Sequence, residues 1–245
     1  MLTIDVEQDW GASDTRAVRE VLPRFVRLLD DFGSRATFFV VGELADLVRL
    51  HLPPDGPHEV ASHGLTHRLL TRLSTAQLEA EVWQSKERLE AAGYRVQGFR
   101  APFFVAPRGL RTLLAGAGYS YDASEGHLVP RPLLRSRRVS RCGPNGLWRV
   151  PTGTLGDGMT PFSLTWLRLL HPFGLRLVTD RGGLFYCHLH ELLEGTGGWS
   201  RLPSVLRRLH RRCCGTAALE IVGALLKRFG PRFVTCREFL ALEQG

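Results

Sequence analysis

The chain has 245 residues, of which 44% are hydrophobic, and a formal net charge of +8. This length can bury a large core in one α/β domain, and no apolar run approaches the roughly 20 residues that a membrane-spanning helix requires. The first residues lead directly into an apparent strand, without the basic and apolar regions of a signal peptide. We therefore expect one domain over residues 1–245 and no membrane-spanning segment.

Apolar runs and helical patterns alternate along the chain. The predicted strands cover residues 2–6, 36–41, 58–61, 96–99, 184–188 and 232–235, with weaker candidates at 119–121, 147–150 and 175–178. The predicted helices cover about 15–32, 43–50, 75–92, 107–117, 161–171, 202–212 and 216–229. Ser74 and Gln77 form a capping box before the 75–92 helix, and glycines follow several helix ends as C-caps. The alternation predicts a parallel sheet or barrel.

Polar residues follow several of these strands at the point where each strand ends. They are Asp5, Glu7, His63, His67, Arg100 and His188. Asp5 and Glu7 are two residues apart, so on a strand they share a face. Two histidines four residues apart can bind the same divalent cation. Since functional residues of parallel barrels gather at the carboxyl ends of the strands, the set predicts a metal-dependent hydrolase.

The order of the motifs resembles the polysaccharide deacetylase family, which is the NodB-homology group or carbohydrate esterase family 4. The motifs are Ile-Asp-Val-Glu (4–7), Ala-Thr-Phe-Phe-Val-Val-Gly (36–42), Ser-His-Gly-Leu-Thr-His (62–67), Phe-Arg-Ala-Pro-Phe (99–103), Tyr-Asp-Ala-Ser (121–124) and Phe-Tyr-Cys-His (185–188). The resemblance spans about residues 2–240. Its opening and its closing segment (232–240) are most similar to the bacterial branch associated with exopolysaccharide loci.

The resemblance implies a distorted (β/α)7 TIM-like barrel that binds one divalent metal ion and removes N-acetyl groups from a glycan or lipid-linked sugar. By the same resemblance, the metal ligands are Glu7, His63 and His67, and zinc is the expected ion, with cobalt or nickel as alternatives. The remaining roles are also carried over from the family. Asp5 is the general base, and Arg100 is its ion-pair partner. His188 is the general acid, Asp122 is the carboxylate that orients His188, and the backbone N–H of Phe103 is the oxyanion donor.

Three departures from the family pattern leave alternatives open. A valine separates Asp5 from Glu7, where the commonest family motif has adjacent aspartates, so Asp9 is an alternative metal ligand. Phe103 replaces the usual tyrosine. His190 stands where many relatives carry an aromatic residue after proline, and it either lines the cleft or competes with His188 as the acid.

Two other functions remain alternatives to glycan deacetylation. One is a related amidase that acts on a small non-sugar amide or imide, and the other is a non-catalytic glycan-binding barrel. The shape of the cleft separates polymer from small amide, and the presence of a complete set of base, ligands, acid and arginine disfavours the non-catalytic barrel.

The cysteines and arginines bear on location and partners. Five cysteines without C-x-x-C spacing indicate reduced thiols and a cytoplasmic protein, which meets its substrate either there or at the inner membrane face. Lys86 and Lys227 are the only lysines, so the positive charge comes from arginine, which clusters at 131–141 and 201–212. Without nucleic-acid motifs we expect no nucleic-acid partner. The arginine-rich helix at 202–212 is a candidate for peripheral contact with an anionic membrane.

Overall fold

The computed structural model describes residues 1–9, 14–127, 138–142, 146–180, 183–194 and 211–244. Its strands are β1 (Leu2–Val6), β2 (Thr37–Val40), β3 (Glu59–Ser62), β4 (Gly98–Phe99), β5 (Tyr121–Asp122), β6 (Ser140–Cys142), β7 (Leu147–Arg149) and β8 (Phe185–His188). Its α-helices are α1 (Arg16–Glu20), α2 (Leu22–Asp31), α3 (Ala45–Arg49), α4 (Thr75–Ala91), α5 (Leu110–Gly116), α6 (Leu164–Leu169), α7 (Thr216–Phe229) and α8 (Cys236–Leu242). None of the helices in these ranges is long and apolar enough to cross a membrane.

The strands form one sheet in the order β6-β7-β5-β4-β3-β2-β1-β8. All neighbours pair in parallel except β6, which is antiparallel to β7. The segment between β7 and β8 runs along the β8 edge of the sheet, where the N–H of Gly153 donates to the Leu184 carbonyl and the N–H of Tyr186 donates to the Phe162 carbonyl. It thereby narrows the opening between the two edges of the sheet. Seven parallel strands with outer helices confirm the predicted distorted (β/α)7 barrel in a single domain.

Alternation along the strands divides the apolar residues into two layers. In β1, Leu2, Ile4 and Val6 pack into the large cluster beneath the helices, so Thr3 and Asp5 point to the barrel interior. A second cluster fills that interior, with Phe39, Tyr121 and Tyr186 among its members. Helix α8 contributes Cys236 and Leu240 to the same cluster and so lies against the interior. The polar residues of β1 therefore face inward by the pleat of the strand alone.

Most predicted elements are confirmed, and their ends follow from local chemistry. Ser74 accepts from the N–H of Gln77, and the Gln77 side chain accepts from the N–H of Ser74, as a capping box requires. Gly33, Gly93 and Gly118 adopt positive φ after α2, α4 and α5, where C-cap glycines are expected.

Two predicted strands are wrong and one strand was missed. Residues 175–178 overlap a 3₁₀ helix (Gly174–Leu177), and 232–235 lie between the 3₁₀ helix Gly230–Arg232 and helix α8, which Thr235 caps. In neither place do the described residues pair with a neighbouring strand, and only part of each apolar run is buried: Val178 and Phe233 are buried, whereas Leu177 is exposed. The missed strand, β6, is short and half-exposed, so it has no apolar periodicity to detect. The predicted helix at 202–212 lies almost entirely outside the described residues. All five cysteines are free.

Candidate metal and catalytic centre

The acidic residues of β1 lie at the carboxyl end of the barrel. Asp5 is the last inward-facing residue of the strand, and Glu7 follows it on the same face; both are buried. The parallel register places Asp5 beside His188 of β8. Strands β8 and β1, which are neighbours, and β3, which is separated from β1 by β2, thereby bring their terminal polar side chains to the same end of the barrel.

Glu7, His63 and His67 form a cluster whose potential ligand atoms all lie within 4.8 Å of one another. The Glu7 Oε2 atom is 2.5 Å from His67 Nε2 and 3.6 Å from His63 Nε2. Burial raises the pKa of Glu7, but the contacts with His63 and His67 outweigh it and hold that pKa well below its usual range. The carboxylate is therefore charged, as a metal ligand must be.

The loop that carries the two histidines has a conformation that its sequence must support. Gly64 and His67 both have positive φ, at 79° and 60°. Glu81 of α4 stabilises this loop, because its Oε2 accepts from the N–H groups of Leu65 (2.7 Å) and Thr66 (3.0 Å), and its Oε1 accepts from the Thr66 hydroxyl. Glu81 is thus a buried anchor for the ligand loop that the sequence motifs did not indicate.

The cluster fits a divalent metal ion by its donor set and orientation. His63 Nδ1 lies 2.9 Å from the Arg100 carbonyl, so donation to that oxygen leaves Nε2 with its lone pair towards Glu7. One carboxylate and two imidazoles form a common zinc ligand set, and it leaves further coordination positions open. The residues that can hold such an ion are Glu7, His63 and His67.

Asp9, the alternative ligand, lies in a different environment. Its carboxylate accepts from the N–H of Ala17 at 3.1 Å and 3.3 Å, and therefore stabilises the start of α1. Burial raises its pKa. The acidic residue that the structure brings to the histidines is Glu7.

Arg100 is fully buried and pairs with Asp5 at 2.5 Å, measured from Nη1 to Oδ1. Its Nη2 also donates to the Thr3 hydroxyl at 3.0 Å, and its guanidinium lies 3.9 Å from the centre of the Phe39 ring. These contacts fix the position of the guanidinium, so one oxygen of Asp5 is occupied while the other, Oδ2, faces His188.

His188 lies between two carboxylates. Its Nε2 is 3.7 Å from Asp5 Oδ2, and its Nδ1 is 3.5 Å from Glu191 Oε2. Burial lowers the pKa of His188, but the contact with Glu191 and the charges of Glu7 and Asp5 raise it further, to about 9. The imidazole is therefore protonated in neutral solution, as a proton donor requires.

The prediction that Asp122 orients His188 is not met in the structure. Asp122 accepts from Arg111 Nε at 2.9 Å and from the N–H of Ser124 at 2.8 Å, and among the described residues it forms no pair with His188. The physical reason is proximity: Glu191 lies three residues after His188 in a 3₁₀ helix (Leu189–Leu192), in which residues i and i+3 eclipse. Asp122 ends a strand farther along the sheet.

His190 and Phe103 border the cluster. The ring of His190 stacks on that of His188 at 5.0 Å, and its Nδ1 is 3.7 Å from Glu7 Oε1. Burial and the neighbouring His188 lower the pKa of His190 to about 4, so it is neutral and a poor rival to His188 as proton donor. Phe103 has a positive φ of 60°, and its ring lies 4.8 Å from that of His67.

The arrangement is a parallel α/β barrel with a carboxylate–histidine–histidine cluster next to a carboxylate–imidazole pair. A family model described as polysaccharide deacetylase matches residues 1–121. The matched part of the chain contains β1 to β4 and all three clustered residues. The match confirms the family resemblance read from the motifs, and it ends before Asp122 and His188.

Solved structures of deacetylase relatives share the fold. A Bordetella bronchiseptica protein described as involved in O-antigen biosynthesis has a TM-score of 0.59 at 20% identity, covering 93% of this chain and 89% of its own. The peptidoglycan deacetylase PdaC of Bacillus subtilis has a TM-score of 0.55 at 14% identity, covering 100% and 91%. A carbohydrate esterase family 4 pseudoenzyme of Bacillus anthracis has a TM-score of 0.56 at 14% identity, covering 97% and 64%. At these identities the likeness concerns the fold.

Proposed function

We propose that this protein is a metal-dependent hydrolase that removes N-acetyl groups from a glycan or a lipid-linked sugar, and that residues 1–245 form the one domain that does so. The observation that carries the proposal is the position of the Glu7, His63 and His67 cluster, in which Glu7 and His63 are buried and His67 is half-buried. It lies next to the Asp5 and His188 pair, whose Oδ2 and Nε2 atoms are 3.7 Å apart. Together they supply the ligands, base and acid that hydrolysis of an unactivated amide requires.

Glu7, His63 and His67 would hold one divalent ion, for which zinc is our first choice and cobalt or nickel the alternatives. Such an ion supplies Lewis-acid polarisation of the acyl oxygen and a water molecule of increased acidity. The protein contributes a charged carboxylate and an imidazole whose orientation is fixed by the Arg100 carbonyl.

Asp5 is the proposed general base. Its Oδ1 is held by Arg100, which leaves Oδ2 to take a proton from the attacking water. The guanidinium fixes the orientation of the carboxylate and balances its charge. Arg100 thus supports the base by position and charge.

His188 is the proposed general acid, and the backbone N–H of Phe103 is the proposed oxyanion donor. Protonated His188 presents Nε2 towards the space beside Asp5, where it can donate to the amine nitrogen as the C–N bond breaks. The ring of Phe103 lies 4.8 Å from that of His67, which supports a place for this residue beside the ligand cluster. A backbone N–H in that position can stabilise developing negative charge on the acyl oxygen.

The substrate class rests on the relatives. The B. subtilis relative is a peptidoglycan deacetylase, and the B. bronchiseptica relative is described as involved in O-antigen biosynthesis. Both concern bacterial surface glycans, and residues 232–240 resemble the exopolysaccharide-associated branch. These likenesses support an N-acetylated exopolysaccharide or its lipid-linked precursor as the substrate here.

A cytoplasmic location, with peripheral contact to the inner membrane face, is the corresponding proposal for where the substrate is met. It is supported by the arginine-rich sequence at 201–212 and by the exposed Arg211 and Arg212 at its end. Co-sedimentation with anionic liposomes at low and physiological salt tests it. Binding that is lost as salt is raised is expected, because a surface electrostatic contact is screened.

The decisive experiment is acetate release from a panel of N-acetylated glycans by zinc-loaded and metal-free protein. Release that depends on metal is expected, and a small cyclic amide in the same panel tests the amidase alternative. A B. anthracis relative with this fold is a pseudoenzyme, so the fold alone does not establish turnover. Metal-loaded protein that releases no acetate from any glycan would overturn the proposal.

A further inference from the structure

Glu191 is a buried carboxylate at which several polar groups meet. Its Oε1 accepts from Arg168 at 2.7 Å (Nη2) and 3.2 Å (Nε) and from the Thr165 hydroxyl at 2.6 Å. Its Oε2 accepts from the backbone N–H of His188 at 3.1 Å and lies 3.5 Å from Nδ1 of the same residue. One oxygen is therefore fixed by α6, and the other is turned towards His188.

Because one oxygen of Glu191 faces His188, Glu191 affects which nitrogen of the imidazole carries a proton. The negative charge of Glu191 Oε2, 3.5 Å away, favours a proton on Nδ1, which makes Nε2 the nitrogen that donates its proton. Nε2 is also the atom that points towards Asp5, at 3.7 Å from Oδ2. The ring of His190, stacked at 5.0 Å, limits rotation on the other side.

We propose that Glu191, held by Arg168, is the positioning residue that keeps His188 in the tautomer and orientation needed to protonate the leaving amine. In the step concerned, the C–N bond breaks, its electron pair stays on nitrogen, and the proton moves from Nε2 of His188 to that nitrogen. The imidazole becomes neutral with its remaining proton on Nδ1, next to Glu191. This inference rests on the proposed N-acetyl hydrolysis.

A structural role and a positioning role make different demands on Glu191. A buried ion pair with Arg168 that only stabilises the fold would support all substrates equally. A residue that acts through the general acid matters for an amide, whose amine must be protonated to leave. It matters little for an aryl ester, whose phenolate leaves without a proton.

The test compares Glu191→Gln with wild type on an N-acetylglucosamine oligomer and on 4-nitrophenyl acetate, both with zinc loaded. We expect kcat/KM for the oligomer to fall about 100-fold or more and that for the ester to fall about tenfold or less, as loss of an oriented acid requires. Zinc content should not change. Glu194→Gln, an exposed glutamate three residues later, is the matched control and should leave both activities unchanged.

The outcomes separate the two proposals. Equal losses on both substrates, or no loss on the oligomer, would overturn the role of Glu191. A wild type that cleaves the ester and no N-acetylated sugar would overturn the proposed function itself. If Glu191→Gln does not fold, Glu191→Asp keeps the charge for Arg168 but withdraws the carboxylate from His188, and the same change in substrate ratio is expected. Long-range ¹H–¹⁵N NMR of the His188 ring gives a reading without turnover: the Nδ1–H tautomer in wild type and a mixture in the variant.

Discussion

The anchor of the ligand loop gives a quantitative prediction. Glu81 accepts two backbone N–H groups, from Leu65 and Thr66, between the ligands His63 and His67. A hydrogen bond to a charged group contributes about 1.5–3 kcal/mol, against about 1 kcal/mol for a neutral pair. Glu81→Gln keeps the size of the side chain and one acceptor oxygen, so we expect it to weaken the two backbone bonds by about 2 kcal/mol in total.

This loss should appear as weaker metal binding, because the loop that presents both histidines is no longer held ready. Since 1.4 kcal/mol corresponds to a factor of ten, a loss of about 2 kcal/mol allows up to about a 30-fold increase in the dissociation constant for zinc. Competition with a chromophoric chelator measures it, and Glu87→Gln on the exposed face of the same helix is the control. A folded Glu81→Gln protein that binds zinc within about twofold of wild type would refute the reasoning.

Three further predictions concern the centre itself. His63→Ala should abolish stoichiometric zinc binding and acetate release while circular dichroism shows a folded barrel; retained zinc would place the ion elsewhere. Asp5→Asn should keep zinc but lose turnover, and should lower the free energy of unfolding by about 3–5 kcal/mol because Arg100 is left buried without its partner; substantial residual acetate release would move the base elsewhere. With the pKa of His188 raised from 6.5 to about 9, the acid is protonated below that pH and loses its proton above it. We therefore expect kcat/KM to fall as pH rises towards and past 9. An ion bound at Glu7 should shift this fall to lower pH, because its charge opposes that of the carboxylate. Activity that keeps rising through this pH range would exclude His188 as the general acid.

The fold could be predicted in large part because its strands are buried on both sides. Buried parallel strands read as apolar runs, and β1, β2, β3 and β8 were predicted to within a residue or two on that basis. The same criterion failed for residues 232–235, where an apolar run packs against the core at the start of α8. It also failed for β6, a half-exposed strand that pairs antiparallel with β7. Apolar content reports burial, and it does not report whether a neighbouring strand is there to pair with.

The candidate centre was predictable where a residue's position follows from its strand. Asp5, Glu7, His63, Arg100 and His188 each come directly from a strand or its end, and the parallel register brings those ends together. The choice between Glu7 and Asp9 was open in the sequence because it depends on the path of the chain after β1. In the structure that path brings Asp9 to the N–H of Ala17.

The carboxylate that faces His188 shows where reasoning from strand ends stops. Asp122 and Glu191 are both acidic residues at the same end of the barrel, but in the order of the sheet four strands lie between β5 and β8. A partner for His188 is found more readily within its own turn, and the His-x-x-Glu spacing of 188–191 is the sequence feature that could have indicated it. Arg168 could not have been inferred in this way, because its contact with Glu191 depends on how α6 packs on β8. A short-range partner is therefore encoded in spacing, whereas the arginine that fixes that partner is determined by tertiary packing.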